Sequence, residues 1–377
     1  MIYFDNAATT LQKPPGVAKA IAESIGTFGN SGRSFHQPAM EASRAIMSAR
    51  KEIAQLVRLE NPLNVAFTSG ATESFNLVLD SLVSPSDHVI TSVLEHNSVL
   101  RPLYKTGCEL SFIPCDGSGQ LILDDLDSLL QANTRFLVCT HGSNLTGVVS
   151  DVQVLSGFCR KNGLVFILDV SQTLGCVETL AAMADILCFT GHKSLFGPQG
   201  TGGIIVNRQL DFRLVKTGGT GTNSFDARQP MEMPEIFEAG TQNAHGLAAL
   251  RCGVAYVNQK GTAAIEAHTN RLLQAFLDGV SDIPGISIYG PERNAAGPRL
   301  PIIALNVGSL PAGDVALQLW ENYQIVTRAG SHCAPLVHRF FKTEAQGMVR
   351  FSFSVFNTAE EIDITVKALG EIAGKGA

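Results

Sequence analysis

The sequence predicts an α/β fold in which a large domain holds a mostly parallel sheet and a smaller α+β domain follows it. Short apolar runs recur through the first 206 residues, and they are apolar throughout instead of at alternate positions. Continuous runs of this kind are typical of parallel strands that are buried on both faces. Helical patterns separate most of the runs, as in βαβ units. A length of 377 residues with 45% hydrophobic content also suits one large core and a smaller second one.

The chain begins with a segment that is too short to fold alone. Residues 1–15 are expected to form an extended arm that ends at Pro14 and Pro15 and packs on another part of the chain. Residues 37–59 carry apolar side chains at helical spacing, which predicts an amphipathic helix. Strands are then predicted at seven apolar runs, namely residues 64–68, 88–93, 109–114, 135–140, 164–170, 185–190 and 202–206.

The second half of the chain is less regular. Residues 217–245 are rich in Gly, Thr and Asn and fit no period, whereas residues 245–280 show one helical pattern. Further on, the sequence predicts two strands and two helices, at residues 299–307, 312–322, 347–354 and 358–373. We therefore assign residues 15–250 to the large domain, and residues 1–14 with 251–377 to the small one.

The composition argues against several classes of function. A net charge of -6 and the lack of a Lys/Arg-rich run give no surface for nucleic acid. No apolar run approaches the roughly 20 residues of a membrane span, and the first residues do not resemble a secretory signal. We therefore expect a cytoplasmic protein that binds neither a membrane nor nucleic acid.

The eight cysteines form no C-x-x-C pair and no His/Cys cluster at metal spacing, so no metal site is expected. Most of them lie in apolar patterns, where cysteine is usually a small buried hydrophobe. Cys333 differs because it lies in a loop that contains glycine and proline, beside His332 and near Arg328. An electropositive loop of this kind favours the thiolate form of a cysteine.

Lys193 lies between two apolar runs, followed by a glycine-rich turn. A lysine at the end of a buried strand is partly desolvated, which favours the neutral amine that Schiff-base chemistry requires. Lys193 is therefore a candidate anchor for a cofactor. For an isolated lysine, a role in a surface turn would be the better interpretation.

Polar residues follow the predicted strands at the edge where parallel sheets bind their ligands. These groups are residues 69–73, 95–97, 141–144, 169–172 and 190–193. Each group alone is explained as a helix cap, a turn or a loop histidine. Together they contain what a pyridoxal phosphate site requires: a phosphate cradle at the turn of Gly70, Ala71 and Thr72, a flat ring, an amine, and a carboxylate to face the pyridine nitrogen. Asp169 lies 24 residues before Lys193, which suits two neighbouring strands.

Other ligand-binding motifs do not match. His192 separates Gly191 from Lys193, so this segment is not a Walker-type phosphate loop. The sequence contains no G-x-G-x-x-G, H-E-x-x-H or G-x-S-x-G.

Over nearly its whole length, the chain resembles the class V aminotransferases, which are fold-type I pyridoxal phosphate enzymes, and within them the cysteine desulfurases. The loop at residues 328–334 resembles that of the group II, SufS-like branch, which also contains selenocysteine lyases. The other motifs that carry the resemblance are residues 3–10, 69–76, 95–96, 143–147, 169–172, 190–193, 237–241 and 350–357.

The resemblance implies a role for each matching position. Lys193 would carry the cofactor and move protons at the substrate Cα, and Cys333 would be the nucleophile. The remaining cofactor-binding positions would be Ala71, Thr72, Thr190 and His192 at the phosphate, His96 stacked on the ring, Asp169 at the ring nitrogen, Gln172 at the ring hydroxyl, and Thr241 reaching in from the second subunit of a homodimer. The substrate would be bound by Arg350 at its carboxylate, assisted by Asn144, with Arg328 and Asn6 nearby.

These roles imply that L-cysteine becomes L-alanine while its sulfur passes to Cys333 as a persulfide. A thiol acceptor protein or a reductant would then remove the sulfur, for iron-sulfur cluster assembly or another route. L-selenocysteine is an alternative substrate. An aminotransferase or another amino-acid lyase on the same cofactor, in which Cys333 takes no part, is an alternative activity. A third alternative is a partner or regulator protein that keeps the fold but has no catalytic activity. The presence of Lys193 and Asp169 argues against it.

Overall fold

The computed structural model describes residues 1–32, 35–291 and 297–376, without the side chains of residues 375 and 376. Its strands are β1 Ile2–Tyr3, β2 Val65–Thr68, β3 His88–Ser92, β4 Glu109–Ile113, β5 Thr134–Thr140, β6 Val165–Asp169, β7 Ile186–Thr190, β8 Gly202–Val206, β9 Ile286–Tyr289, β10 Ile302–Val307, β11 Ile325–Val326, β12 Arg328–Gly330 and β13 Met348–Ser352. Its helices are α1 Pro15–Thr27, α2 Gln37–Leu56, α3 Ala71–Leu82, α4 Asn97–Thr106, α5 Val152–Asn162, α6 Ala244–Lys260, α7 Thr262–Val280, α8 Ala312–Tyr323, α9 Pro335–Phe341 and α10 Ala359–Gly376.

Strands β2 to β8 form one sheet, the large sheet, which has seven strands within the described ranges in the order β2-β8-β7-β6-β5-β3-β4. Neighbouring strands are parallel except at β8, which runs antiparallel to both β2 and β7. Every strand of this sheet coincides with one of the predicted apolar runs. The predicted α/β class and the mostly parallel seven-stranded sheet are therefore confirmed.

Burial of both faces explains why these strands are apolar throughout. In β6, Phe166 and Leu168 belong to one hydrophobic cluster, whereas Ile167 between them belongs to a second cluster on the other face. Ile167 is fully buried, and burial of one such side chain stabilises the fold by about 1.5–3 kcal/mol. A polar residue at either face would lose that contribution.

The small sheet consists of β12, β13, β10 and β9, which are antiparallel neighbours in that order. The N-terminal arm joins this part of the chain, because β1 pairs with β11 and Asp5 forms a bridge with Ser352. The arm therefore packs on the C-terminal third, as expected for a segment too short to fold alone. The assigned domain boundaries stay a prediction, and the boundary at residue 250 falls inside α6.

Three helical features differ from the sequence-based expectation, and the first is α9, a short helix after the Cys333 loop that was not predicted. The single pattern predicted over residues 245–280 forms two helices, α6 and α7, which separate at Gly261, where φ is 80°. A positive φ is easily adopted by glycine and ends a helix. Helix α1 was not predicted, because Val17 and Ser24 are its buried residues and they give little apolar periodicity. Among the described helices, none combines the length and the apolar composition needed to cross a membrane.

Candidate functional site

A cavity of about 380 Å³ opens at the carboxyl ends of the parallel strands, where the small sheet and the Cys333 loop close over the large sheet. This is the edge at which open α/β sheets bind ligands. All five polar groups predicted from the strand ends contribute to its lining. The proposed site residues on its wall are Ala71, Thr72, His96, Asn144, Asp169, Gln172, Thr190, His192, Lys193, Arg328, Cys333 and Arg350.

Lys193 and Asp169 lie at the buried base of the cavity. Asp169 ends β6, and Lys193 follows β7, the neighbouring strand. Burial lowers the pKa of Lys193 to about 8, although the charge of Asp169 acts in the opposite direction. Burial also raises the pKa of Asp169, against its hydrogen bond from the backbone N–H of Ser171 at 2.9 Å. The base therefore offers an amine that is largely neutral above pH 8, close to an acidic group.

His96 directly precedes α4 as its N-cap and presents a neutral ring to the cavity. Its Nδ1 accepts a hydrogen bond from the backbone N–H of Ser98 at 3.0 Å, so the imidazole caps the helix. Burial and, to a smaller extent, the charge of Lys193 lower the pKa of His96 to about 4. A neutral, fixed imidazole is suited to stacking on a flat ring.

Helix α3 points its N-terminus at the cavity, where backbone N–H groups favour an anion. Ala71 and Thr72 form its first turn, and the Thr72 hydroxyl lies 2.7 Å from that of Ser98. The turn packs tightly on β8, because a Cβ added to Gly202 would lie 2.5 Å from the Cα of Gly70. The phosphate cradle is thus held against the large sheet.

His192 and Thr190 complete this end of the cavity. Burial lowers the pKa of His192 to about 4, so its ring is neutral at physiological pH. The carbonyl of His192 accepts hydrogen bonds from the Thr10 backbone at 3.1 Å and from Lys13 Nζ at 3.2 Å. The N-terminal arm therefore holds the loop that carries Lys193.

Arg350 forms part of the opposite wall. Its Nη1 donates to the Asn144 carbonyl at 2.9 Å and its Nη2 to Asp5 Oδ1 at 2.9 Å. Arg328 is its cross-strand neighbour in the small sheet and pairs with Asp5 Oδ2 at 3.7 Å. One carboxylate therefore lies between two arginines.

Cys333 lies in the short loop between β12 and α9 and is exposed. His332 and Cys333 have φ values of 51° and 55°, an uncommon conformation for residues other than glycine. Hydrogen bonds hold the loop: Asn144 Nδ2 donates to the His332 carbonyl at 2.8 Å, and the Asn97 backbone N–H donates to the Cys333 carbonyl at 2.8 Å. His332 Nε2 also contacts the Arg328 carbonyl at 3.1 Å.

Not every predicted site residue faces the cavity with a free side chain. The Gln172 side chain lines the cavity, but it donates to the Ala7 carbonyl at 3.1 Å. Asn6 lies behind the cavity wall, where its Nδ2 donates to the Ser352 carbonyl at 2.8 Å. Thr241 lines a separate depression beside Glu238 and Lys216. The structure thus does not bring Asn6 or Thr241 of this chain to the cavity, and their roles stay predictions.

Four residues at or near the site were not singled out from the sequence: Asp5, Lys13, Ser98 and His332. Asp5 lies in the motif at residues 3–10, and that motif could have marked it as a site residue. Its ion pair with Arg350 could not be foreseen, because the two residues lie at opposite ends of the chain. His332 was noted only as the neighbour of Cys333. No local pattern marks Lys13 or Ser98.

Several buried polar atoms on the cavity wall lack a hydrogen-bond partner among the described residues, namely His192 Nδ1, His332 Nδ1 and Arg350 Nε. Buried polar atoms are normally paired, so this wall fits a polar ligand. Within the described residues, no group of three or more His, Cys, Asp or Glu side chains could hold a metal ion.

The model of the family described as "Aminotransferase class-V" matches residues 2–365. The chain belongs to the class-V aminotransferase family. Its relatives include a "Probable cysteine desulfurase" of Pyrococcus abyssi, 31% identical over 99% of this chain and 94% of that protein. A "Cysteine desulfurase" of Cronobacter sakazakii is also 31% identical, over 98% of this chain and 92% of that protein.

This class-V family member is also similar in structure to solved cysteine desulfurases. The apo cysteine desulfurase from Thermococcus onnurineus NA1 has a TM-score of 0.92 and 31% identity, and it covers 100% of this chain and 95% of its own. The cysteine desulfurase CsdA from Escherichia coli has a TM-score of 0.87 and 26% identity, with 99% and 94% covered. These similarities, together with the family match, support the fold-type I architecture inferred from the sequence.

The family depends on pyridoxal phosphate, and the cavity residues fit that group. The neutral amine of Lys193 can hold an aldehyde, the Asp169 carboxyl can meet a ring nitrogen, and His96 can stack on the ring. The N-terminus of α3 and the unpartnered His192 Nδ1 offer donors for a phosphate.

Proposed function

We propose that this chain is a pyridoxal phosphate-dependent cysteine desulfurase that converts L-cysteine to L-alanine and receives the sulfur on Cys333. The observation that carries the proposal is that the Lys193 amine, the Asp169 carboxyl and the Cys333 thiol belong to residues of one cavity. An amine and an acid suffice for many reactions on this cofactor. An exposed thiol at the same cavity favours a transfer of sulfur.

Lys193 would hold the cofactor and move a proton at the substrate Cα. Its lowered pKa, about 8, makes the neutral amine available near physiological pH. Asp169, His96 and Gln172 would orient the ring, while Ala71, Thr72, Thr190 and His192 would hold the phosphate. The bound cofactor supplies an electron sink for the substrate Cα.

Arg350 would bind the substrate carboxylate. Its Nε is buried and has no partner among the described residues, so this donor remains for a ligand. An arginine fork is well matched to a carboxylate. Asn144 would assist, and Arg328 would lie beside the substrate side chain, close to Cys333.

Cys333 would act as the nucleophile of the sulfur transfer. Its thiolate attacks the substrate sulfur, so an S–S bond forms as the Cβ–S bond breaks. The electron pair of the broken bond stays with the carbon fragment, which gains a proton and leaves as L-alanine. A thiol acceptor or a reductant then removes the sulfur and restores the Cys333 thiol. The exposure of Cys333 supports access for such an acceptor.

We further propose a cytoplasmic homodimer in which Thr241 reaches the phosphate site of the partner subunit. The placement of Thr241 outside the cavity of its own chain supports this arrangement. Light scattering of the purified protein tests the dimer, with a monomer as the contradicting result. We also propose iron-sulfur cluster assembly as the destination of the sulfur.

The test is to incubate the protein with pyridoxal phosphate, L-cysteine and a reductant, and to measure sulfide and alanine. We expect equal amounts of both products. Cys333→Ala should lower sulfide release at least about a hundredfold but retain the bound cofactor, whereas Cys252→Ala should behave like the unaltered protein. Equal sulfide release from Cys333→Ala would remove Cys333 from the mechanism. 3-Mercaptopyruvate, formed with transfer of the amino group to an acceptor, would favour an aminotransferase, and pyruvate with sulfide and ammonia would favour another amino-acid lyase.

A parallel incubation with L-selenocysteine separates the two candidate substrates. We expect L-cysteine to be turned over, and a protein that releases selenide but no sulfide would be a selenocysteine lyase.

A further inference from the structure

Glu95 is a fully buried acid that directly precedes His96 and takes no part in the proposed mechanism. It lies in the connection between β3, which ends at Ser92, and α4, which begins at Asn97. A glutamate is almost never fully buried unless a partner offsets its charge. The contacts of its two carboxyl oxygens explain why an acid is tolerated at this position.

Strands β3 and β5 separate before they reach the edge of the large sheet at which the cavity opens. Their register pairs end at Ile90 and Leu137, so the backbone N–H of Thr140, at the end of β5, lies beyond the part that β3 pairs. Glu95 Oε1 accepts this N–H at 2.9 Å, and the Ser92 hydroxyl donates to the same oxygen. The carboxyl thus takes the place of a backbone acceptor that a neighbouring strand would supply.

This hydrogen bond connects two parts of the cavity wall. Thr140 lines the cavity, and so does His96, which follows Glu95 in the chain. Because Glu95 and His96 are neighbours in one turn, a shift of the carboxyl would carry the imidazole with it. Thr140 is also the register partner of Asp169 in β6. Glu95 therefore fixes the distance between the turn of His96 and the strands that carry Thr140 and Asp169.

The second oxygen shows that the acid is uncharged. Among the described residues, Glu95 Oε2 receives no hydrogen bond from a backbone N–H, a hydroxyl or a cation, and Cys139 offers only a weak thiol donor. The titratable groups that face Glu95 are Asp169 of β6 and Cys139 of β5, and neither supplies a positive charge. An unpaired buried carboxylate costs far more than an unpaired carboxyl hydroxyl. Burial and, to a smaller extent, the charge of Asp169 raise the pKa of Glu95 to about 8.

We propose that Glu95 is a positioning residue, an uncharged acid that holds the turn of His96 against the end of β5. The consequence for the cofactor rests on the proposed function, because His96 would stack on the cofactor ring. A neutral acceptor at this place adds no second negative charge beside Asp169, which would face the ring nitrogen. The reach of the Glu95 side chain therefore matters more than its charge.

Two conservative variants separate reach from charge. Glu95→Gln removes the acid but keeps an oxygen at the same distance along the side chain, whereas Glu95→Asp keeps the acid but is one methylene shorter. The dissociation constant of pyridoxal phosphate, measured by absorbance titration of the full-length protein, should stay within about twofold of the unaltered value in Glu95→Gln. It should rise about tenfold in Glu95→Asp, which leaves the buried Thr140 N–H unpaired.

Infrared spectra of the cofactor-loaded protein test the charge directly, because a protonated carboxyl and a carboxylate absorb at different frequencies. At pH 7 the unaltered protein should show the band of a protonated carboxyl that is missing from Glu95→Gln. This band should lose about half its intensity near pH 8. It should remain in Glu321→Gln, which alters an exposed residue of α8.

A larger rise of the dissociation constant in Glu95→Gln than in Glu95→Asp would overturn the proposal. A spectrum at pH 7 in which Glu95→Gln removes no protonated carboxyl would also overturn it. Neither measurement requires turnover of L-cysteine. A protein that shows both expected results but releases no sulfide would therefore lose the desulfurase function and keep the role of Glu95.

Discussion

The two walls of the cavity differ in how far their functional side chains are buried and in what holds them in place. The large-sheet wall, made of His96, Asp169 and Lys193, is formed by residues at or after strand ends, of which Asp169 is buried and the other two are partly buried. The small-sheet wall, made of Arg328, Cys333 and Arg350, combines a buried arginine with an exposed thiol on a short loop. Burial shifts the pKa of each of the three groups on the first wall, whereas hydrogen bonds to the backbone hold the loop that carries the thiol of the second.

This difference separates two tasks. Desolvation at the large-sheet wall changes the proton affinity of the groups that would meet the cofactor. The small-sheet wall holds a nucleophile in a left-handed conformation, which surrounding contacts must maintain. Substitutions on the first wall should therefore alter cofactor chemistry, and those on the second should alter the reactivity of Cys333.

The largest effect is expected from Asp169→Asn on the large-sheet wall. Loss of the acidic group should lower alanine formation at least about a hundredfold, since it removes the charge that faces the ring nitrogen. The rate at which Cys333 is alkylated by iodoacetamide in the apo protein should stay the same, as measured by peptide mass spectrometry. A parallel loss of alkylation would mean that the two walls are not separate.

The pH dependence of cofactor attachment tests the lowered pKa of Lys193. With a pKa of about 8, the neutral fraction of the amine rises from about a tenth at pH 7 to about nine tenths at pH 9. The rate at which the apo protein binds pyridoxal phosphate covalently should rise about tenfold over this range and then level off. A rate that keeps rising above pH 10 would indicate a lysine with an ordinary pKa.

His332→Ala should affect the small-sheet wall alone. The substitution removes the contact with the Arg328 carbonyl and the stacking on His338, whose ring centroid lies 6.1 Å away. Alanine formation should fall about fivefold to tenfold, because the loop loses about one hydrogen bond, and the alkylation rate of Cys333 should change with it. Cofactor affinity should remain that of the unaltered protein. A fivefold to tenfold loss of cofactor affinity would show that His332 does not act on the small-sheet wall alone.

Lys13→Met should give the smallest effect. Lys13 donates to the carbonyls of His192 and Gly197 at 3.2 and 2.9 Å, so it supports the loop of Lys193 from outside the cavity. We expect the dissociation constant of the cofactor to rise about threefold, the equivalent of part of one hydrogen bond. An absorbance titration measures it, with Lys105→Met as the control. A rise of about a hundredfold in this dissociation constant, far more than one hydrogen bond outside the cavity can contribute, would place Lys13 in the site itself.

The sequence predicted the large sheet well because each strand is buried on both faces and is therefore apolar throughout. Lys193 and Asp169 were predicted for the same reason, since Asp169 ends one buried strand and Lys193 follows the next, at the edge where ligands bind. Helix α1 was missed because small and polar residues dominate its sequence. The split between α6 and α7 at Gly261 was also missed, because glycine within a helical pattern does not by itself show where a helix ends.

The sequence by itself determined the α/β class, the order of the strands along the chain and the chemical groups at their ends. Tertiary structure alone decided that Asp5 lies between Arg328 and Arg350, that Asn6 lies behind the cavity wall, and that Cys333 adopts a left-handed conformation. The reason is that apolar periodicity is a local property of the chain. Ion pairs and loop conformations depend on contacts between residues that are hundreds of positions apart.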